Sequence, residues 1–474
     1  MAEETNKKAK EESKNIKIVE DATCTFCGCV CDDMELHVDL DEKRITKAKN
    51  ACVLGRAWFA EHTIEDAPAA MIDGKEVTIE EAIEEAAQTL VKAKFPITYG
   101  LSDTTSEAQR EAVAITDYVK GNLDTTTSVC HGPSGLAFQG VGESTSTLGE
   151  VKNRADLVIY WGGNPAESHP RHFGRYAVTP KGMFTPNGKK DRTVVLVDVR
   201  KTKSAGVADI LIRPNPGKDF EVIWALRALV KGNKLSANEG EWFWGVNIEE
   251  ETGVPLKTLT DLAERMKKCR FGVLFFGMGL TMTRGRHFNS GALLALATDL
   301  NKYTHFVAKP VRGHGNVTGA DNVVAWQTGY PFGVNFSRGY PRFNPGEFTT
   351  VDTLSNGDAD AALIIASDPG SNFPKKAIEH LKNIPVITLD TKSTETTNLS
   401  HVAFRTATYG INTSGTVYRM DDVSITLRPA FESPFPDDET ILKKIKKRVH
   451  ELTLKKIHPG GASGEAKVAA VNPL

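Results

Sequence analysis

The chain has 474 residues, 40% hydrophobic and 25% charged, with 58 Lys+Arg against 60 Asp+Glu and a formal net charge of -2. That composition suits a globular chain of roughly two to four domains, and its balanced charge argues against nucleic acid or an anionic membrane as a partner. No apolar run is long enough to span a bilayer. The opening MAEETNKKAKEESKNIK carries both signs of charge and no apolar core, so residues 1–17 read as a loose tail and not as an export signal. Free thiols without such a signal predict a reducing cytoplasm.

Five of the seven cysteines fall between positions 24 and 52. Cys24, Cys27, Cys31 and Cys52 are spaced C-x2-C-x3-C-x20-C, with three thiols on a tight turn and a fourth on a returning segment. The pattern suits a [4Fe-4S] cube, which takes one thiolate on each iron. A four-cysteine zinc site is the competing metal reading, although zinc sites more often pair two C-x2-C knuckles. A disulfide framework belongs to short secreted chains. Cys29 lies inside the loop as a neighbour of the ligands. MELHVDL and KRITKAKN alternate weakly, like short antiparallel strands, and complete a cysteine-bearing unit over 18–66. Arg56, shortly after Cys52, is either a charge that tunes a cluster or an ordinary surface arginine.

From residue 77 onward helices and strands alternate. VTIEEAIEEAAQTLVKA is an amphipathic helix with a Thr N-cap and an acidic first turn, and FPITYGL is a buried strand. Further apolar strands are expected in 155–162, 192–199, 271–279, 360–368 and 384–390, with SEAQREAVAITDYV and KDFEVIWALRALVKG among the helices between them. Continuous apolar strands separated by amphipathic helices predict parallel sheets covered on both faces, here in two doubly wound units. Near the C-terminus, DETILKKIKKRVHEL is the last helix, and no run of alternating strands is long enough for a β-barrel.

In such sheets ligands bind beyond the carboxyl ends of the strands. Those ends read WGGNP (161–165), VDVRKT (197–202), FFGMG (275–279), ASDPG (366–370) and TLDTK (388–392). Glycine admits close approach to the backbone, and Asn and Asp offer hydrogen bonds to bases, riboses or pterin edges. Each loop alone is explained by turn geometry. Five together point to a long nucleotide-like ligand, and the absence of G-x-G-x-x-G or a P-loop disfavours a simple NAD or ATP site. Cys130 sits in TTSVCHGPSGLA beside His131, ahead of a helix start, and reads as a nucleophile, a metal ligand or a buried small residue. Cys269 carries no motif. Residues 310–347 show little periodicity and read as a long loop in which Arg312 and His314 are the charged candidates.

CTFCGCVCDD (24–33), TTSVCHGPSGLAFQ (126–139), TLGEVKNRADLVIYWGGNPAESHPRH (147–172), VDVRKTKSA (197–205), LFFGMGLT (274–281), RGHGNVTG (312–319), IASDPGSNFP (365–374) and SGTVYRM (414–420) together resemble the molybdopterin oxidoreductases. Within them, the resemblance is to the catalytic B subunits of formylmethanofuran dehydrogenases. It implies an α/β fold with a small N-terminal [4Fe-4S] domain (18–66) and two doubly wound pterin-binding domains, 67–146 with 312–450 and 147–311. The C-terminal barrel cap would be lacking, and 451–474 would form a loose tail. It implies a [4Fe-4S] cluster on Cys24, Cys27, Cys31 and Cys52, and a tungsten or molybdenum bis(pyranopterin guanine dinucleotide) with Cys130 as protein ligand. His131 and Arg312 would stand beside the metal, Arg312 holding CO2 or formate and His131 relaying a proton. Gly163, Asn164, His169, Asp198, Arg200, Thr202, Gly277, Met278, Gly279, Gly313, His314, Asp368, Gly370 and Asp390 would contact the pterins.

The implied reaction is reduction of CO2 to formate, which a zinc-bearing amidohydrolase-like partner condenses with methanofuran. A small β-rich pterin-capping subunit and ferredoxin-like electron-transfer subunits would complete the assembly. A stand-alone formate dehydrogenase and a non-redox subunit of a formyltransferase/hydrolase complex are the rival readings. In bacterial relatives of the second kind the cluster and metal ligands are lost, whereas this chain keeps all five cysteines. It departs from the family at Asn412-Thr413-Ser414, where an acidic residue commonly precedes the Gly-Thr pair that is here Gly415-Thr416.

Overall fold

The computed structural model describes residues 15–61, 67–235 and 247–457. The expected tails lie outside these residues over 1–14 and 458–474. Among the described residues, Ile16–Cys24, Cys31–Asp39 and Arg44–Lys49 form an antiparallel three-stranded sheet, followed by the helix Val53–Ala60.

The strand order of the five-stranded sheet is Ile210–Ile212, Thr193–Val197, Leu157–Trp161, Phe271–Phe276 and His305–Pro310, all parallel. Its apolar residues alternate between two layers, as the period of two requires. Leu157, Ile159, Trp161, Leu274 and Phe276 pack under helices that include Asp219–Val230, Leu256–Lys268 and His287–Leu300. Val158, Tyr160, Val273 and Phe275 pack in one core with Met34, Leu36, Cys24 and Cys31 of the N-terminal sheet. One face of this sheet is therefore covered by the cysteine-bearing unit together with the short helix Leu148–Arg154 and the helical turn Phe173–Ala177.

The nine-stranded sheet is parallel through Asn122–Thr125, Pro96–Gly100, Ala361–Ile365, Val386–Asp390 and Val402–Arg405, with short antiparallel strands at both edges. Ile79–Lys92 starts with a full capping box between Thr78 and Glu81, as its Thr-x-x-Glu spacing predicts. In each sheet the chain runs first to one side of its founding strand and later returns on the other. The two switch points lie between Leu157–Trp161 and Phe271–Phe276, and between Pro96–Gly100 and Ala361–Ile365, and each is a place where a crevice opens at the strand ends.

Two expectations change. The irregular run 310–347 contains the helix Val317–Thr328, closed by the left-handed Gly329. Its residues VTGADNVVAWQT are weak helix formers with no charge in the first turn, and burial of Val317, Ala320, Val323 and Val324 outweighs propensity. The last helix continues past 450 to Ile457, because Leu452 still packs on the core that holds Ile441, Leu442 and Ile445.

Asp124, at the end of its strand, ties the loop after it to two other segments. Its Oδ2 accepts from the Thr350 N–H and the Ser128 hydroxyl, both at 2.7 Å, and its Oδ1 accepts from the N–H groups of Thr125 (3.0 Å) and Gly333 (3.2 Å). Removing the carboxylate leaves buried donors unpaired. Asp124→Ala is expected to cost roughly 3 kcal/mol of stability, read as a lowered urea midpoint at unchanged m-value.

Candidate active site

The cysteine loop is built on a hairpin. Cys24 ends one strand, Cys31 begins the next and the two are register partners. Cys52 is the N-cap of Val53–Ala60, where its sulfur accepts from the Gly55 N–H at 3.4 Å. Cys24, Cys27, Cys31 and Cys52 line one small cavity, with Cys29, His169 and Arg171 among the other walls. A Cβ on Gly55 would lie 3.0 Å from the Cys24 sulfur, so the glycine keeps this space open. Among the described residues no three His, Cys, Asp or Glu side chains close on a single metal ion. The four thiols stand around a volume, which matches a cube with a thiolate at each iron.

Burial pushes the Cys24 thiol well up, so a positive group must enter before it ionises. Hydrogen bonding with the Cys27 and Cys31 sulfurs, together with burial, holds the Cys29 thiol well above its ordinary pKa. That hydrogen bond lowers Cys31 to about 7, with Arg175 and Arg171 adding to it against burial. Both arginines also clamp the loop: Arg171 reaches the two oxygens of Asp33 at 2.5 and 2.7 Å, and Arg175 pairs with Asp33 and, at 2.5 Å, with Asp32. The basic neighbours of the cavity are thus Arg171 and Arg175, whereas Arg56 is exposed.

Residues 311–316 leave the end of His305–Pro310 and cross to the nine-stranded sheet. The Val311 N–H donates to Phe276 O at 2.8 Å and the Asn316 N–H to Ser102 O at 2.8 Å. On one side of this crossing lies the cysteine loop: the Gly28 N–H donates to Gly313 O at 3.2 Å, and Cys27 bridges His314. A Cβ on Gly28 would stand 2.3 Å from Arg312 O, and one on Gly315 would stand 1.9 Å from Thr25 O. Only glycine fits either place.

On the other side lies Cys130, which follows the 3-10 turn Thr126–Val129 and precedes the helix Gly132–Val141. Its carbonyl accepts from Thr281 Oγ1 at 3.3 Å, which joins it to the five-stranded sheet. Burial pushes its thiol up to about 11, although the Arg312 charge and the Gly313 N–H both favour the thiolate. A Cβ on Gly313 would meet nothing within 4 Å, so the backbone beside Cys130 faces open space.

Arg312 is 6% exposed. Its Nη2 donates to Thr127 Oγ1 at 2.6 Å and pairs with Asp321, while its Nε is buried without a protein partner. Desolvation opposes the charge, yet Asp321 keeps the guanidinium pKa above its ordinary value. His131 is 1% exposed. Burial lowers its ring to about 3, with the Arg312 charge adding to the effect, so it is neutral. Nε2 faces Val311 O at 3.3 Å and must carry the hydrogen, which leaves Nδ1 to accept from Ser134 Oγ at 3.2 Å. Both nitrogens are engaged within the protein, and the expected proton relay finds no free position on this ring.

The strand-end glycines gather at the first switch point. A Cβ on Gly277 would lie 2.7 Å from Gly162 O and 2.8 Å from the Gly163 Cα, and one on Gly279 would lie 2.7 Å from Gly162 O. Met278 is exposed there, and Thr202 Oγ1 is buried without a partner. Asn164 is tied to the neighbouring turn, its Oδ1 accepting from Ser204 Oγ at 2.7 Å. Asp198 accepts from the Arg200 N–H at 3.0 Å, leaving the Arg200 side chain exposed. His169 donates to Arg312 O at 2.7 Å and so supports the crossing segment. His314 pairs with Asp103 at 3.3 Å, which raises its pKa.

Asp368, Gly370 and Asp390 lie at the ends of the strands Ala361–Ile365 and Val386–Asp390 of the nine-stranded sheet. Asp368 is taken up by Thr396 and Ser371, and the Gly370 N–H donates to Thr396 Oγ1 at 2.8 Å. Burial pushes Asp390 up to about 7. The acidic group near Thr416 comes from elsewhere in the chain: Glu107 Oε2 accepts from the Thr416 N–H at 2.9 Å. Sequence reasoning misses Thr127, Asp321 and Gly28; the Gly-x-Gly of 313–315 is the available signal for a tight crossing.

No protein-family profile matches the chain. It is 44% identical over 447 residues to the B subunit of the tungsten-containing formylmethanofuran dehydrogenase 2 of Methanocaldococcus jannaschii, covering 92% of this chain and 100% of that protein. Its counterpart in Methanococcus maripaludis is 42% identical over 446 residues, again with 92% and 100% coverage. Among solved structures, the formyltransferase/hydrolase complex FhcABCD of Methylorubrum extorquens contains a chain that superposes with a TM-score of 0.64 at 21% identity, covering 81% of this chain and 100% of that one. The paired α/β sheets with facing switch-point crevices are those of a molybdopterin-oxidoreductase-like fold. With identity above two-fifths over nearly the whole length, the chain belongs to the family of formylmethanofuran dehydrogenase B subunits.

Proposed function

We propose that the chain is the catalytic subunit of a formylmethanofuran dehydrogenase and interconverts CO2 and formate, formate then being condensed with methanofuran on a partner subunit. The observation that carries this reading is the segment 311–316, whose backbone meets the cysteine loop on one side and Cys130 on the other. Cys24, Cys27, Cys31 and Cys52 would hold a [4Fe-4S] cluster, and Cys130 would hold tungsten or molybdenum carried by two pyranopterin guanine dinucleotides. When bound, these groups supply the low-potential two-electron chemistry.

The residues of the chain do the remainder. Arg312, fixed by Asp321 and Thr127, presents a permanent positive charge to an oxyanion. His131 stays neutral and anchors Val311, which sets the position of Arg312. Arg171 and Arg175 hold the cysteine loop and offset the charge of its thiolates. Gly162, Gly163, Gly277 and Gly279 let a long ligand lie against backbone at the strand ends, and Gly313 does so beside Cys130. The likeness to a multisubunit complex, and the exposed Met278, Met282, Phe288 and Trp326, support a heteromeric assembly. In it a β-rich subunit covers the pterins, a zinc-bearing amidohydrolase-like subunit takes the formate, and ferredoxin-like subunits deliver electrons. Elemental analysis of the anaerobic complex, with formate-dependent dye reduction, tests the reading: iron, acid-labile sulfide and tungsten or molybdenum should all be present.

Four substitutions follow. Cys52→Ser should abolish or distort the iron–sulfur electron paramagnetic resonance signal while Cys29→Ser leaves it in place. Cys130→Ala should remove CO2/formate turnover, with the cluster signal kept and the thermal midpoint little changed. Arg312→Lys retains charge but loses the planar fork, and turnover should fall about a hundred-fold at unchanged metal content.

A further inference from the structure

A cavity of about 370 Å³ runs from the surface to Arg312. It is lined by Glu143, Lys309, Arg312, Thr318, Asp321 and Asp422, among others. Four parts of the chain build it. Glu143 follows the helix Gly132–Val141 through Gly142, whose φ is positive, and Lys309 lies near the end of the strand His305–Pro310. Thr318 and Asp321 belong to Val317–Thr328, and Asp422 to the turn between Gly415–Tyr418 and Ser424–Leu427.

Three covered polar atoms on this wall have no protein partner: Glu143 Oε1, Thr318 Oγ1 and Arg312 Nε. Buried polar atoms are rarely left so, and three around one cavity mark a place for water. Lys309 is 1% exposed and donates from Nζ to Thr145 Oγ1 at 2.8 Å. Charge in the cavity is mixed: Glu143 is faced by Lys309, Asp422 and Arg312, and Lys309 in turn by Asp421, Asp422 and Arg419. Burial raises Glu143 to about 7, with Lys309 pulling the other way. Glu143 is half-buried, with its Oε1 covered, beside the exposed Gly142, so it stands between solvent and cavity.

We propose that Glu143 delivers the proton of the reaction, taking it from solvent and passing it through water in this cavity to the Arg312 end. The inference rests on the CO2/formate reading. In the reducing direction one CO2 takes up two electrons and one proton to become formate. The groups that Cys24, Cys27, Cys31, Cys52 and Cys130 would hold would supply the two electrons; the proton leaves Glu143 as its O–H bond breaks, ends in the new C–H bond, and is replaced from solvent. Arg312 does not itself relay, because its guanidinium does not give up a proton. Thr318 offers a hydroxyl that both accepts and donates. His131, with both nitrogens engaged, leaves this duty to another group, and Glu143 answers to the general acid required.

The test uses the assembled, cofactor-loaded complex carrying the parent chain, Glu143→Gln, Glu143→Asp or Thr318→Val. Glu143→Gln should slow CO2 reduction about a hundred-fold and enlarge the solvent deuterium isotope effect, with metal content and cluster signal unchanged. Glu143→Asp should recover part of the rate. In the parent, the rate should fall as pH rises through about 7, the range of the Glu143 carboxyl, and the glutamine variant should lose that limb. Parent-minus-variant infrared difference spectra should show a protonated carboxyl band titrating near neutrality that Glu143→Gln removes and Glu143→Asp shifts, apart from the band of Asp390, which all variants keep. Should Glu143→Gln fail to assemble, the parental infrared titration and the isotope effect of Thr318→Val decide. Parental rates and isotope effects in Glu143→Gln and Thr318→Val, or no titrating carboxyl in the parent, overturn the relay alone. A parent complex that turns over neither CO2 nor formate overturns the functional reading beneath it.

Discussion

The structure depends on a contact between two backbones. Gly28 and Gly315 let the cysteine loop and the crossing segment 311–316 lie against each other with no side chain between them. Everything the site needs hangs on that closeness: Arg312 points to Thr127 and Asp321, the Gly313 peptide serves the cysteine loop through its carbonyl and Cys130 through its N–H, and His314 meets Asp103. A methyl group at either glycine would push the two surfaces apart by more than hydrogen bonds of ordinary length tolerate. The two centres are therefore not separate modules joined by a linker; they share one stretch of main chain.

Burial governs the electrostatics around that stretch. Cys24 and Cys130 are pushed toward the thiol, and His131 and His169 toward the neutral ring, to about 3 and about 4. Arg312 escapes because Asp321 lies beside it, a pairing strong in a region of low dielectric. The free chain thus holds Cys24 and Cys130 in the thiol form, which a positively charged group would ionise. Arg171 and Arg175 act in the same direction at Cys31, while Asp32 and Asp33 keep those arginines in place.

The parallel strands were legible because they are long apolar runs between amphipathic helices, and their ends named the glycines that meet at the first switch point. Cysteine spacing located the loop, though spacing carries no information about Gly28 or the two arginines that hold it. Strands such as Asn122–Thr125, with the sequence NLDT, carry little apolar signal and owe their place to their neighbours. The helix Val317–Thr328 was hidden by glycine and β-branched residues. The partners of polar strand-end residues are hidden for a similar reason. Asp368 and Asn164 look like free polar groups in sequence, and only the folded chain shows Thr396 and Ser204 already occupying them.

The pairing of residues 25–28 with 312–315 has a consequence for biogenesis. These segments are nearly three hundred positions apart, so their contact closes a very large loop, the kind of contact that forms late in folding. The hairpin that carries Cys24, Cys27 and Cys31 leaves the ribosome early, yet the wall against which it is seated does not exist until two-thirds of the chain has been made. Until then its thiols stand open to solvent, to oxidants and to metal donors. A maturation system thus has a defined interval in which the nascent loop is reachable, and the arrival of the crossing segment ends it.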